Sequence, residues 1–173
     1  MRFGLHAACA LGFLLCTTVS VQAAPKLLPP AGEATVVPGG TETILATGLF
    51  ASKYPEQVGD VETRLVKAIR DGDKLTVTVR FRPLARKGTS EWNDTIYDKK
   101  MSEKEWEQHF YLTSGNKKYL ILKDGDGKWL APDELILKTG AGSWSATFPA
   151  PPAGQKAVLH MRGLEALGPF TVP

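Results

Sequence analysis

The sequence has 173 residues, of which 43% are hydrophobic and 23% are charged, and its 21 basic and 18 acidic side chains give a formal net charge of +3. This composition is typical of a chain that folds around a core, and the near balance of charge argues against a basic surface that binds nucleic acid or an anionic membrane. Basic and acidic residues are interleaved, as at Asp98-Lys99-Lys100, so most charges are expected on a solvated face.

The first residues have the pattern of an export signal. Arg2 precedes an apolar run, Ala7 to Cys16, and Val21-Gln22-Ala23 has the small residues that signal peptidase selects. We therefore predict a cleavable signal peptide of residues 1–23 and a periplasmic or secreted mature protein. The apolar run is too short for a membrane anchor, which needs about 20 residues, so no transmembrane segment is expected after processing.

Both cysteines, Cys9 and Cys16, lie in this leader. The mature chain would then have no disulfide and no thiolate metal ligand. Lipidation of Cys16 is not expected, because Leu15 occupies a position where a lipoprotein signal requires a small side chain.

Residues 24–57 are rich in Pro and Gly. Closely spaced prolines forbid a long helix and weaken a central strand, so we predict an extended arm. Within it, Thr41 to Phe50 is apolar enough to dock on the domain or to form a short edge strand.

A β-hairpin is predicted over residues 60–83. In its second arm, apolar residues alternate with polar ones: Leu75, Val77, Val79 and Phe81 share one face. Its first arm approximates the same alternation, with Val61, Thr63, Leu65 and Ile69 on the face expected to be buried. Asp71-Gly72 is a strong hairpin turn signal.

Residues 84–108 form a charged insertion whose large apolar residues are Trp92, Tyr97 and Trp106. Ser102 followed by Glu103 and Glu105 predicts the capped start of one short helix.

Short strands follow, separated by Gly and Pro. They are predicted at 109–113, 118–123, 134–138, 144–148 and 156–161, with a tight turn at Asp124-Gly125-Asp126-Gly127. Strands at this spacing indicate an antiparallel β-sandwich or small barrel, and we count seven or eight of them in one domain, residues 58–173.

The segment Lys118-Tyr119-Leu120-Ile121-Leu122-Lys123-Asp124, the Gly-rich turn before Trp129, and Gly142-Ser143-Trp144-Ser145-Ala146-Thr147-Phe148-Pro149 together resemble bacterial exported immunoglobulin-like domains of unknown function. The resemblance covers about residues 58–173. It implies an immunoglobulin-like sandwich and carries no chemistry, because the matching residues are core and turn positions.

Motifs for catalysis or metal binding are weak. The mature chain has two histidines, His109 and His160, and no nucleophile elbow, so no enzyme is predicted. A copper site from Met101, His109, His160 and Met161 is disfavoured, because adjacent strand residues point to opposite faces. Asp124 begins a calcium-loop pattern that lacks its later ligands, so no cofactor is expected.

We therefore interpret the chain as a non-catalytic exported module that binds a protein or cell-envelope component. Trp92, Tyr97 and Trp106 are the candidate partner-binding residues, because aromatic side chains on a polar loop are frequent hot spots. A partner-binding role would require Trp92 and Trp106 to be partly exposed. Clamping the insertion onto the sandwich is the favoured alternative for both, because Trp is highly buried on average. The alternative function is a periplasmic carrier of a small ligand or of copper.

Overall fold

The computed structural model describes residues 34–37, 40–51, 60–84 and 93–173. Within these ranges the chain is mostly β, the strand pairings are antiparallel, and one short helix, α1, spans Glu103–His109. The strands are β1 (Ala34–Val37), β2 (Gly40–Thr43), β3 (Ala46–Ala51), β4 (Asp60–Asp71), β5 (Lys74–Pro83), β6 (Asn93–Tyr97), β7 (Tyr111–Ser114), β8 (Lys117–Leu120), β9 (Leu135–Lys138), β10 (Gly142–Pro149), β11 (Lys156–His160) and β12 (Leu167–Thr171). The predicted all-β class is confirmed. The described ranges contain twelve strands, nine of them within residues 58–173, where the sequence predicts seven or eight.

The predicted hairpin of residues 60–83 is present as β4 and β5. Asp71 pairs with Lys74 across the turn, where Gly72 has a φ of 58°, a conformation that glycine adopts without steric cost. The apolar residues of β5 are buried as predicted: Leu75, Val77, Val79 and Phe81. This face of β5 therefore forms part of the core.

The alternation of β4 is interrupted by a β-bulge. Its register with β5 shifts between Leu65 and Lys67. An extra residue in one strand reverses which of the following side chains face the core, and Ile69 accordingly lies outward with 45% of its surface exposed. The prediction that Ile69 is buried is therefore wrong, whereas Val61 and Leu65, before the bulge, are buried as expected.

Part of the predicted arm belongs to the same sheet. β3 pairs with β4 along its whole length, from Ala46 opposite Leu65 to Ala51 opposite Asp60, and the sheet has the order β10-β5-β4-β3. The edge strand expected within Thr41 to Phe50 is thus present. β3 lies before residue 58, where the sequence predicts the domain to begin.

The second four-stranded sheet has the order β12-β11-β7-β8. β7 and β8 form the predicted second hairpin around Gly115, whose φ is 56°. The turn at Asp124 is also present: one Asp124 carboxylate oxygen accepts hydrogen bonds from the backbone N–H groups of Asp126 and Lys128, each 2.9 Å long. Two smaller pairs, β1-β2 and β6-β9, complete the sheets of the described ranges.

At both edges of the first sheet, the edge strand is hydrogen-bonded to another segment of the same chain. At the β3 edge, the N–H of Glu165 donates to the carbonyl of Leu49 over 3.3 Å. At the β10 edge, the N–H of Leu122 donates to the carbonyl of Thr147 over 2.8 Å. Such bridges satisfy backbone groups that an open edge would expose. One hydrophobic cluster fills the space between the sheets; its fully buried members include Leu65, Leu112, Trp144, Phe148 and Leu159.

Among the described residues, the structure contains no helix with the length and apolar character that crossing a bilayer requires. The predicted leader, residues 1–23, lies outside the described ranges.

Candidate functional site

The insertion between β5 and β7 is anchored by a cluster of aromatic rings. The ring centroid of Tyr97 lies 4.9 Å from that of Trp106 and 5.0 Å from that of Phe110, both edge to face. Phe110 in turn lies 6.0 Å from Trp144 of β10. These contacts join β6 and α1 to the core of the domain. Offset and edge-to-face aromatic pairs add stability beyond that expected from the area they bury.

The hydroxyl of Tyr97 is hydrogen-bonded inside this cluster. It accepts a bond of 2.9 Å from the indole nitrogen of Trp144 and donates one of 2.7 Å to the carbonyl of Pro132. Burial raises the pKa of this phenol well above its ordinary value of 10.0. Tyr97 is therefore a neutral group whose hydroxyl bonds to Trp144 and Pro132.

Helix α1 begins with the predicted cap. The Ser102 hydroxyl accepts from the N–H of Glu105, and the Glu105 carboxylate accepts from the N–H of Ser102 over 2.9 Å and from its hydroxyl over 2.7 Å. These bonds from Ser102 hold the pKa of Glu105 below its usual value, with smaller contributions from Arg162 and His109. Because a seven-residue helix is unstable alone, the cap and its buried residue, Trp106, hold it on the domain.

Two of the predicted partner-binding residues, Tyr97 and Trp106, are buried. Trp106 is only 6% exposed and Tyr97 only 3% exposed, so neither side chain presents much surface. Its ring is covered by Tyr97, by Phe110 and by Trp129, whose centroid lies 5.8 Å away. Trp92 lies outside the described residues. The clamping role that the sequence left open therefore accounts for Trp106.

A surface cleft of about 410 Å³ lies beside this cluster. Its apolar part comes from Phe50 of β3, Ile96 and Tyr97 of β6, and Met101; its polar part comes from Thr95, Asp98, Lys100, Glu105, Arg162 and Gly163. Three parts of the chain that are distant in sequence thus build it: β3, the insertion, and the turn between β11 and β12. Tyr97 is the predicted site residue that contributes to it.

The turn between β11 and β12 is held close to β3. The N–H of Leu164 donates to the carbonyl of Met161 over 3.3 Å, and Phe50 forms an isolated bridge with Leu164. Gly163 has a φ of 72°, which favours glycine, and its Cβ position lies 3.6 Å from the Phe50 ring, an ordinary contact distance. This packing fixes one wall of the cleft.

The carboxylates of the cleft are bonded to the main chain. One oxygen of Asp98 accepts from the N–H of Lys100 over 2.8 Å, and the Glu105 carboxylate belongs to the helix cap. The cations are less engaged: a guanidinium nitrogen of Arg162 lies 3.9 Å from the sulfur of Met101, and neither Arg162 nor Lys100 forms an ion pair within the described ranges. The cleft thus carries two acidic and two basic side chains, and the charge of Arg162 acts on the Glu105 carboxylate.

Neither His109 nor His160 is among the residues that line this cleft. His160 is on the outer face of the second sheet, stacked on Tyr111 with centroids 4.5 Å apart, and its Nε2 lies 3.1 Å from the hydroxyl of Thr113. Burial lowers the pKa of His160, and the neighbouring Lys118 lowers it further. Met161, by contrast, is buried in the core with 5% exposed.

Among the described residues, no group of three or more His, Cys, Asp or Glu side chains is placed to hold a metal ion. No family model matches the sequence, and no curated protein or solved structure is significantly similar to it.

Proposed function

We propose that this protein is a non-catalytic exported module that binds a protein or cell-envelope component through the cleft between the insertion and the β11–β12 turn. The observation that carries the proposal is the composition of the cleft, an apolar floor with charged side chains of both signs around it. Concave sites of this kind, with a few polar groups that orient the ligand, are the usual form of binding sites.

The insertion remains the proposed binding element, but the proposed contact residues are now Lys100 and Arg162 and no longer its tryptophans. Side chains buried as deeply as Trp106 offer a partner little surface, whereas Lys100 and Arg162 are exposed and line the cleft. Tyr97 supports the cleft from its floor.

A binding role fits the acids of the cleft better than a catalytic one. Hydrogen bonds from backbone N–H groups restrict the orientation of a carboxylate. The Asp98 and Glu105 carboxylates both accept such bonds from the chain itself, which suits structural support of the cleft.

The immunoglobulin-like affiliation and the export of the mature domain are parts of the same proposal. Two four-stranded antiparallel sheets around one core are compatible with an immunoglobulin-like sandwich. The pattern of residues 1–23 supports export.

The alternative function, a small-ligand carrier, is favoured by one observation. The cleft volume of about 410 Å³ falls in the range of about 300–1,000 Å³ that is usual for small-molecule sites. No observation in the described part of the chain favours the copper version of this alternative.

Affinity capture from the envelope extract of the source cell tests the proposal. The bait is the mature protein, compared with a Lys100→Glu, Arg162→Glu double variant. The matched control is Lys67→Glu, Lys74→Glu, which makes the same charge change at exposed positions outside the cleft. We expect a partner that the control retains and the cleft variant loses. Equal capture by all three proteins would refute a role for the cleft, and a bound small molecule in native mass spectra would favour the carrier.

A further inference from the structure

The two methionines of the mature chain lie in different surroundings. Met1 and both cysteines belong to the predicted leader, so Met101 and Met161 would be the remaining sulfur-containing residues. Met161 is buried in the core with 5% of its surface exposed, whereas Met101 is half-buried and lines the cleft. Met101 is therefore the thioether that a small reagent in solution can reach.

The sulfur of Met101 lies beside a cation. A guanidinium nitrogen of Arg162 is 3.9 Å from it, in a contact that is open to solvent. A thioether sulfur is a weak hydrogen-bond acceptor, so this contact is weak in the reduced protein. The charge of Arg162 also acts on the Glu105 carboxylate, which lines the same cleft. Arg162 is thus attracted to the insertion by charge as well as by this contact.

A thioether in such a position can be oxidised to a sulfoxide by a two-electron oxidant such as hydrogen peroxide. A lone pair of the sulfur attacks one peroxide oxygen, the O–O bond breaks and an S–O bond forms. The sulfur loses two electrons, and the second oxygen takes up the proton of the first and leaves as water. Enzymes that reduce methionine sulfoxide restore the thioether.

We infer that Met101 is a reversible oxidation site, and that the oxygen of its sulfoxide accepts a hydrogen bond from Arg162. An oxygen on the side of the sulfur that faces the guanidinium lies between the two groups, where it shortens the present gap of 3.9 Å. Hydrogen bonds from a charged donor are stronger than those between neutral groups. Oxidation therefore fastens the β11–β12 turn, which carries Arg162, to the insertion, which carries Met101.

The main chain around Met101 is bonded in a way that tolerates this change. The N–H of Met101 donates to the carbonyl of Asp98 over 3.2 Å, and the next residue, Ser102, caps α1. Neither bond involves the thioether, so the side chain can change its polarity without loss of the local fold. A sulfoxide at Met161, by contrast, would place a polar group in the core, which is unfavourable.

Oxidation of Met101 would also change the proposed binding site, a consequence that rests on the proposed function. Met101 supplies part of the apolar surface of the cleft, and Arg162 supplies one of its charges. A sulfoxide bonded to Arg162 removes the first and engages the second. We therefore expect the oxidised protein to bind its partner about tenfold more weakly, the effect of losing one charged contact.

Mass spectrometry of the folded protein under dilute hydrogen peroxide tests the site. The protein is expressed with its leader and purified after export. We expect Met101 to be oxidised at least about tenfold faster than Met161, because a buried thioether reacts only when the core opens. In urea the two methionines should react at equal rates, which excludes an effect of local sequence. Equal rates in the folded protein would overturn the inference.

NMR of the isotope-labelled protein tests the bond to Arg162. Oxidation should shift the side-chain N–H signals of Arg162 and slow their exchange with solvent. Met101→Leu, which is close in volume and has no sulfur, should show no response, whereas the matched control Met161→Leu should respond like the wild-type protein. Arg162 signals that oxidation leaves unchanged, or a response that persists in Met101→Leu, would contradict the bond.

The failure of this inference can be distinguished from failure of the proposed function. Envelope capture is repeated with the reduced and the oxidised protein, and with Met101→Leu before and after peroxide treatment. If capture depends on Lys100 and Arg162 but not on oxidation of Met101, the cleft binds its partner and oxidation does not regulate it. If Met101 is oxidised and bonded to Arg162 but capture is independent of all three residues, the oxidation site stands and the cleft has no binding role.

Discussion

The indole nitrogen of Trp144 and the hydroxyl of Tyr97 are joined by a buried hydrogen bond of 2.9 Å, and the same hydroxyl donates to the carbonyl of Pro132. One phenol thereby connects β6, β10 and the segment before β9. Since β6 and its neighbour Asp98 form one side of the cleft, this bond links the shape of the cleft to the core.

Replacing Tyr97 with Phe tests this link. The change leaves the indole N–H of Trp144 buried without its partner, so we expect the free energy of unfolding to fall by about 1–3 kcal/mol. Urea unfolding followed by tryptophan fluorescence measures it. The control is Tyr111→Phe, whose ring contacts His160 and Lys118 while its hydroxyl is not part of the cluster; a loss within about 0.5 kcal/mol is expected there. Equal losses in the two variants would contradict the role of the Tyr97 hydroxyl.

Truncation of Trp106 distinguishes its core position from a partner-binding role. Because the ring is 6% exposed, Trp106→Ala should lower stability by about 3–5 kcal/mol, as for other large aromatic truncations in cores. Lys104→Ala, at an exposed position on the same helix, should change it by no more than about 0.5 kcal/mol. Thermal unfolding of the two variants measures the difference. If Trp106→Ala were as stable as the wild-type protein, Trp106 would not be a core residue.

The predictable parts of the fold are those set by local pattern. The β4–β5 hairpin follows from alternation around a glycine turn, and the start of α1 follows from Ser102 and Glu105, three residues apart. The exposure of Ile69 could not be predicted. The bulge between Leu65 and Lys67 turns the following side chains to the opposite face of the sheet, and no residue type in the sequence indicates that a bulge lies there.

The cleft was not predictable from the sequence for a related reason. Phe50 and Arg162 belong to segments far apart in the chain, and they meet because β3 pairs with β4 and the β11–β12 turn bridges back to β3. Within the insertion, no feature of the sequence distinguishes Lys100 from the other charged side chains that are expected at the surface. The sequence analysis selected the tryptophans of the insertion, but Trp106 is buried against Tyr97, Phe110 and Trp129.

His160 makes stability depend on pH. Its pKa is lowered in the folded protein, chiefly by burial and also by Lys118. Between the folded pKa and the unfolded value of about 6.5, the unfolded chain binds more protons, so stability rises with pH. The contribution is therefore complete above about pH 6.5 and is lost as the pH falls towards the folded pKa.

Two variants test this dependence. His160→Gln keeps a polar partner for Thr113 and should flatten the fall in melting temperature between about pH 7 and pH 5. Lys118→Met should raise the pKa of His160, measured by NMR titration of the ring, while leaving it below the ordinary value because burial is the larger cause. A His160 pKa at or above its ordinary value in the wild-type protein would contradict the argument.

Gly168 in β12 is a position where a single methyl group should disrupt packing. Its φ is 146°, which L side chains rarely adopt, and a Cβ there would lie 2.9 Å from the carbonyl oxygen of Ala157 and 3.1 Å from the Cα of Val158. Both obstacles are backbone atoms of the adjacent strand and cannot rotate away, so Gly168→Ala should cost about 1–3 kcal/mol of stability. The matched control is Gly125→Ala, since Gly125 lies in an exposed turn with open space around its Cβ position. Chemical unfolding of both variants measures the difference, and hydrogen exchange should show the loss of protection concentrated in β11 and β12. If Gly168→Ala were as stable as Gly125→Ala, the close approach of β12 to β11 would not constrain this residue.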